Sequence, residues 1–189
     1  MWLQKLLVSL GLIIVPPPPK PILPVPTQRQ LTIQFAEKAM ARAKLSPTRL
    51  QLLTQMLVEI SLKAFNRQDH REYWIALIGA ESGYDGANKS SAGAVGLGQL
   101  LPAYRNDFGR ACGLGDLADS DLRDDYVNAS LSACWFRHLI DQTGSVPMAL
   151  VSYNAGQHSH ARKAAKLGAA MNAETANYAT KIWISREGR

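Results

Sequence analysis

Three observations predict a mainly α-helical protein. Apolar residues recur at helical spacing in several segments, most clearly at Trp74, Leu77, Ile78 and Glu81, which stand at i, i+3, i+4 and i+7. Start and stop signals bracket these segments: Ser46-Pro47 and Ser145 with Pro147 open helices, while Gly83, Gly144 and Gly156 close them. A chain of 189 residues at 47% hydrophobic can bury one core, so a single globular domain with extensions is expected.

Taken in order, residues 1–15 hold Lys5 and then an apolar run from Leu6 to Val15. That run is short of the roughly 20 residues that cross a bilayer as a helix. It matches the first two regions of a secretory signal, but prolines follow where a small-residue cleavage site is expected. An atypical signal, an uncleaved anchor and an apolar tail docked on a partner all remain open. Residues 16–27 form a linker, with seven prolines between Pro16 and Pro26. Polyproline II geometry gives such a spacer about 3.1 Å per residue, hence roughly 34 Å.

Residues 28–67 read as a helical extension. One helix is expected over Thr27–Leu45, with Leu31, Phe35, Ala39 and Ala43 on one face, and a second starts at Pro47. Both are expected to pack on the domain from outside. The main domain is assigned to residues 68–189. It begins with the helix that ends at Glu81, followed by a glycine-rich loop to Pro102 and a short helix from there. A long helix follows over about Asp121–Thr143. A buried helix then spans Met148–Ala155, and a last one spans Glu174–Ser185.

Glu81 is the candidate catalytic residue. It shares the apolar face of its helix with Trp74, Leu77 and Ile78, whereas Glu72 faces outward. Desolvation and the negative end of the helix dipole both favour its protonated form. A carboxylic acid that keeps its proton near neutrality can protonate a glycosidic oxygen. The plain alternative is a helix-end glutamate that reaches water. Tyr153 and Asn154, polar groups in an otherwise apolar helix, need partners, and Glu81 is one candidate.

Charge is unevenly spread around a net +6. Residues 1–71 carry ten Lys/Arg against three Asp/Glu, residues 72–160 five against ten, and residues 161–189 six against two. Basic flanks suit an anionic surface such as lipid headgroups or a wall polymer. No basic stripe interleaved with aromatics appears, so no nucleic-acid partner is expected. The five aspartates between Asp116 and Asp125 lack the glycine and terminal glutamate of an EF-hand loop and read as acidic residues at a helix start. No metal or cofactor is expected. Cys112 and Cys134 lack metal-ligand spacing; they pair in an oxidising compartment or stay as two thiols.

The ordered set Glu81-Ser82, Ser90-x-x-Gly93-Ala94-x-Gly96-Leu97-x-Gln99-x-x-Pro102, Asn128, Tyr153-Asn154-Ala155-Gly156, Glu174-Thr175 and Tyr178 resembles the soluble-type lytic transglycosylases, whose fold is related to goose-type lysozyme. The match covers about residues 72–184, and its specificity lies in combination and order. The resemblance implies a lysozyme-like helical domain that cleaves the β-1,4 bond between N-acetylmuramic acid and N-acetylglucosamine in peptidoglycan, leaving 1,6-anhydro ends. By that resemblance Glu81 is the acid and base, Ser90 and Gln99 bind the sugar, Tyr153 orients Glu81, Asn154 shapes the same wall and Tyr178 lines the cleft. Glu81 is the one carboxylate to which the resemblance gives a catalytic role, which fits substrate assistance. Gly98 stands where methionine is common in the family and Ser152 where alanine is usual.

The partner implied is the peptidoglycan glycan strand, and residues 1–26 are a candidate contact with a membrane, envelope or virion assembly. The setting implied is the cell envelope or periplasm, reached by export or inner-membrane anchoring, or a phage particle. Competing readings are a goose-type muramidase that hydrolyses the same bond, a non-catalytic glycan-binding part of a secretion apparatus or phage, and a chitin-type glycosidase.

Overall fold

The computed structural model describes residues 25–155, 178 and 180–182. The apolar leader, most of the proline-rich linker, Gly156, Glu174 and Thr175 lie outside the described residues. Helices dominate what is described, and its only β pairing is two isolated bridges, Lys89 with Val95 and Val95 with Leu100.

Helix α1 spans Gln28–Met40 and begins with a reciprocal cap: the Gln30 amide donates to Thr27 Oγ1 at 3.2 Å, and the Thr27 amide donates to Gln30 Oε1 at 2.8 Å. Helix α2, Pro47–Ala64, starts as the Ser46-Pro47 signal foretells, with the Arg49 amide donating to Ser46 Oγ at 3.2 Å. These helices do not sit outside the domain as expected. Ala36, Met40, Leu53, Leu57 and Val58 are fully buried in one cluster with Trp74, Leu77, Ile78 and Phe136. Their amphipathic faces had announced burial but not the partner.

Helix α3, Gln68–Ser82, runs through the centre of this cluster, with every residue from Tyr73 to Ile78 buried. Arg71 is buried beside it and donates from Nε to the Phe65 carbonyl at 2.9 Å, satisfying the end of α2. Gly83 closes α3 at φ +65°, and Tyr84 follows at φ +68° with its ring packed against Gly79 and its hydroxyl donating to Ile75 O at 3.3 Å. That contact fixes the exit of the chain from α3, so the following loop folds back over the helix.

The short helix expected at Pro102 is a 3-10 turn, Pro102–Tyr104, that continues as α4, Arg105–Ala111. Helix α5, Asp125–Thr143, starts later than expected because Asp121–Arg123 form a separate 3-10 turn and Asp124 is the cap, its Oδ1 accepting from the Val127 amide at 2.9 Å. Helix α6, Val146–Ala155, packs on α5. Of the helix expected over 174–185, residues 178 and 180–182 are described and helical.

Cys112 and Cys134 are joined in a disulfide that ties the end of α4 to α5. With a sequence separation of 22 between the cysteines, loop-closure entropy assigns the bond about 3 kcal/mol. A small second cluster, Val95, Leu100, Phe108, Leu122 and Leu131, fills the space under the glycine-rich loop. No described helix is long and apolar enough to cross a membrane.

Candidate active site

Glu81 lies in the last turn of α3, partly buried, and the hydroxyl of Tyr178 donates to its Oε1 at 2.5 Å. Burial pushes the Glu81 carboxyl from its ordinary value of 4.5 up to about 7; the Tyr178 hydrogen bond and the charge of Lys181 pull the other way and lose. The inward direction read from helical spacing is therefore correct, and dehydration of the carboxylate is the larger effect. Tyr178 holds its own proton more firmly than a free phenol, through burial and then the Glu81 charge beside it.

The loop after Glu81 is built from backbone hydrogen bonds that only particular residues permit. Val95 and Leu100 exchange two amide-to-carbonyl bonds of 3.0 Å, so the four residues between them form a tight turn. Gly96 at φ +78° has no alternative there, because a side chain would run into Asn128. Gln99 adopts φ +48°, uncommon for a residue with a Cβ. Its side chain holds it there: Nε2 donates to Asn88 O at 3.1 Å and Gly96 O at 2.9 Å. Both partners are carbonyls, so the amide nitrogen must face the loop, which leaves Oε1 as the end available to a ligand.

Asn128, carried by α5 and fully buried, fastens this turn to the helices. Its Nδ2 donates to Val95 O at 3.0 Å and Leu122 O at 2.8 Å, and its Oδ1 accepts from the Gly98 amide at 2.8 Å. A second attachment is a chain of hydroxyls. Trp74 Nε1 donates to Ser132 Oγ at 3.2 Å, Ser132 and Tyr153 hydroxyls lie 2.9 Å apart, and the Tyr153 hydroxyl reaches Gly98 O at 2.8 Å. An indole can only donate and a carbonyl can only accept. The direction is thus forced: Trp74 to Ser132, Ser132 to Tyr153, Tyr153 to the loop.

The arrangement corrects the expected role of Tyr153. Its hydroxyl is committed to Gly98 and Ser132, and Tyr178 instead bonds Glu81. Tyr153 remains close enough for the Glu81 charge to add to burial in raising the phenol's pKa. Asn154, expected inside a buried helix, is exposed near the end of α6. Ser90 is partly buried, and its Oγ accepts from the Ala94 amide at 3.0 Å, closing the outer turn of the loop. Asp85 and Asp107, the other carboxylates near in sequence, are exposed and engaged elsewhere, Asp85 with the Ala87 amide at 2.9 Å and Asp107 with Arg110 at 2.9 Å. Among the described residues no group of three metal-ligating side chains forms.

Sequence reasoning missed Ser132 and Lys181, and named Asn128 without a role. Ser132 and Asn128 stand four apart on α5, a spacing that puts both on one face; two polar side chains on a buried face are the signal that was there to find.

Gly98, the departure from the family pattern, is explained by close approach. A Cβ at this position would lie 2.5 Å from Ser132 Cβ and 3.1 Å from the Tyr153 hydroxyl. Gly98→Ala is therefore expected to push the turn off α5 and α6 at a cost of about 1–3 kcal/mol. A lowered urea midpoint together with weaker glycan binding checks this, and an unchanged midpoint contradicts it.

A family model described as the transglycosylase SLT domain matches residues 60–176, well over half of the chain. It spans Glu81, the turn at 96–99, Asn128 and Tyr153, which are among the residues that carried the resemblance in sequence, and ends before Tyr178. The helical architecture agrees with it, and its action is of transglycosylase type on peptidoglycan. By this match the chain belongs to the transglycosylase SLT domain family.

Proposed function

We propose that the protein is a lytic transglycosylase that cleaves the MurNAc-β-1,4-GlcNAc bond and closes the muramic residue to its 1,6-anhydro form. The observation that carries this reading is the buried Glu81 carboxyl, raised to about 7 by that burial and bonded by the Tyr178 hydroxyl. In the first step the carboxyl gives its proton to the glycosidic oxygen as the C1–O bond breaks. The muramic acetamido oxygen supports the positive charge developing at C1. The Glu81 carboxylate then takes the proton of the 6-hydroxyl as that oxygen bonds to C1, so the acid is regenerated and no water is consumed. Because the 6-hydroxyl belongs to the same sugar residue as C1, an intramolecular attack replaces a bimolecular one.

In this proposal Gln99 Oε1 and Ser90 contact the sugar and its N-acetyl group, Tyr178 orients Glu81, Tyr153 stiffens the floor through Gly98, and the exposed Asn154 extends the wall. Residues 1–15 act as leader or anchor and 16–27 as spacer, placing residues 68–189, with the 28–67 extension, at the wall for local opening. Mass spectrometry of digested wall tests the chemistry. Muropeptides ending in anhydro-muramic acid are expected. Reducing ends, heavier by one water, would make the protein a hydrolase of the goose-type lysozyme kind.

A further inference from the structure

The helical residues 178 and 180–182 bring a cation to Glu81 as well as a phenol. Tyr178 is flanked on its helix by Lys181 at i+3 and Ile182 at i+4. Ile182 is fully buried in the main core, and Lys181 is exposed. Tyr178 lies between them and bonds Glu81, so the segment is oriented with Lys181 at the solvent rim of the same site. The charge of Lys181 is felt at Glu81, yet the two form no ion pair. Several exposed cations elsewhere are paired, Lys63 with Glu59, Arg67 with Asp69, Arg110 with Asp107 and Asp116, Arg137 with Asp141, while Lys181 shares with Lys38, Lys44 and Lys89 the lack of an ion pair among the described residues and differs from them in standing beside Glu81. Lys181 has no carboxylate partner among the described residues. Its ammonium stands on the turn of helix after Tyr178, at the exposed side of the site that holds Glu81.

The polymer assigned to this site under the proposed function offers a matching group. Muramic acid differs from N-acetylglucosamine by a lactyl ether whose carboxylate is free in stem-free glycan, and in stem-bearing glycan is joined to a peptide with carboxylates of its own. A neutral chitin-type strand has neither. We propose that Lys181 binds a carboxylate of the wall polymer at the subsite next to Glu81 and thereby selects muramyl glycan over neutral N-acetylglucosamine polymers. This rests on the reading of the site as a muramyl-glycan cleft.

The test is a set of dissociation constants measured in the Glu81→Gln background, where there is no catalytic carboxylate left for Lys181 to influence. Titration calorimetry with Lys181, Lys181→Met and Lys181→Arg forms uses a stem-free GlcNAc–MurNAc tetrasaccharide, its stem-bearing counterpart and chitotetraose. Lys181→Met is expected to weaken muramyl binding about fivefold and chitotetraose less than about twofold, with Lys181→Arg close to the parent. Loss with the stem-free ligand identifies the lactyl carboxylate; loss with the stem-bearing ligand alone identifies the peptide. Equal loss on all three ligands, no loss on either charged ligand, or no binding of any glycan overturns the proposal. Wall cleavage by protein with Glu81 intact is scored separately. If cleavage is absent while the affinity split persists, the catalytic reading fails and the carboxylate site stands.

Discussion

Glu81→Gln is expected to lower wall-cleaving turnover by about a thousandfold with the helical signal unchanged, because the substitution keeps the shape and removes the only proton the site can give and retrieve. Zymography and muropeptide release check it; turnover near wild type would move the chemistry to another residue. The same carboxyl sets a pH dependence. Donation needs the protonated form, so turnover in the wild type is expected to fall as pH rises through about 7. Stability moves with it. The folded protein holds this proton up to about 7, whereas an unburied glutamate releases it near 4.5. Below 4.5 the group costs nothing on this account. Between 4.5 and about 7 the unfolded chain ionises first, and above about 7 the whole penalty is present. At about 1.4 kcal/mol for each pH unit of that window, the penalty reaches up to roughly 3 kcal/mol. Glu81→Gln is thus expected to melt with the wild type at pH 4 and above it at pH 8. A melting difference independent of pH would contradict the burial on which the catalytic reading depends.

Asn128→Ala is expected to be the most damaging substitution away from Glu81. It strands the Gly98 amide and the Leu122 carbonyl at a fully buried position and removes the second bond to the Val95 carbonyl, which keeps the Leu100 amide. An unsatisfied buried group costs about 1–3 kcal/mol, and partial relaxation should leave a total of about 3–5 kcal/mol. The turn that presents Gln99 is released at the same time, so kcat/KM should fall even where the variant remains folded. Urea unfolding and steady-state turnover measure the two effects. A loss under about 1 kcal/mol would mean that water replaces the amide readily.

The contrast between Glu81 and Tyr153 shows what the sequence carries. The side on which Glu81 stands follows from its spacing to Trp74, Leu77 and Ile78, which is a property of one helix and needs no knowledge of the others. The stop at Gly83 is equally local. The partner of Glu81 is not. Tyr178 is 97 residues away, and whether it or Tyr153 meets the carboxyl depends on the rotation and offset of whole helices against one another. Periodicity leaves both undetermined. The same limit explains α1 and α2, whose apolar faces were visible while their place in the main core was not. Gln99 was legible as a polar residue among glycines, but its left-handed backbone and its two bonds inside the loop arise only once the turn closes.

The one-way run of hydroxyls from Trp74 to Gly98 has a practical corollary. Because each link is oriented by the next, a glycan that lifts or presses the loop alters the polarity felt by the indole, buried at the centre of the core. The Trp74 ring nitrogen proton, fully buried and bonded to Ser132, is therefore expected to shift in resonance when an unlabelled glycan binds.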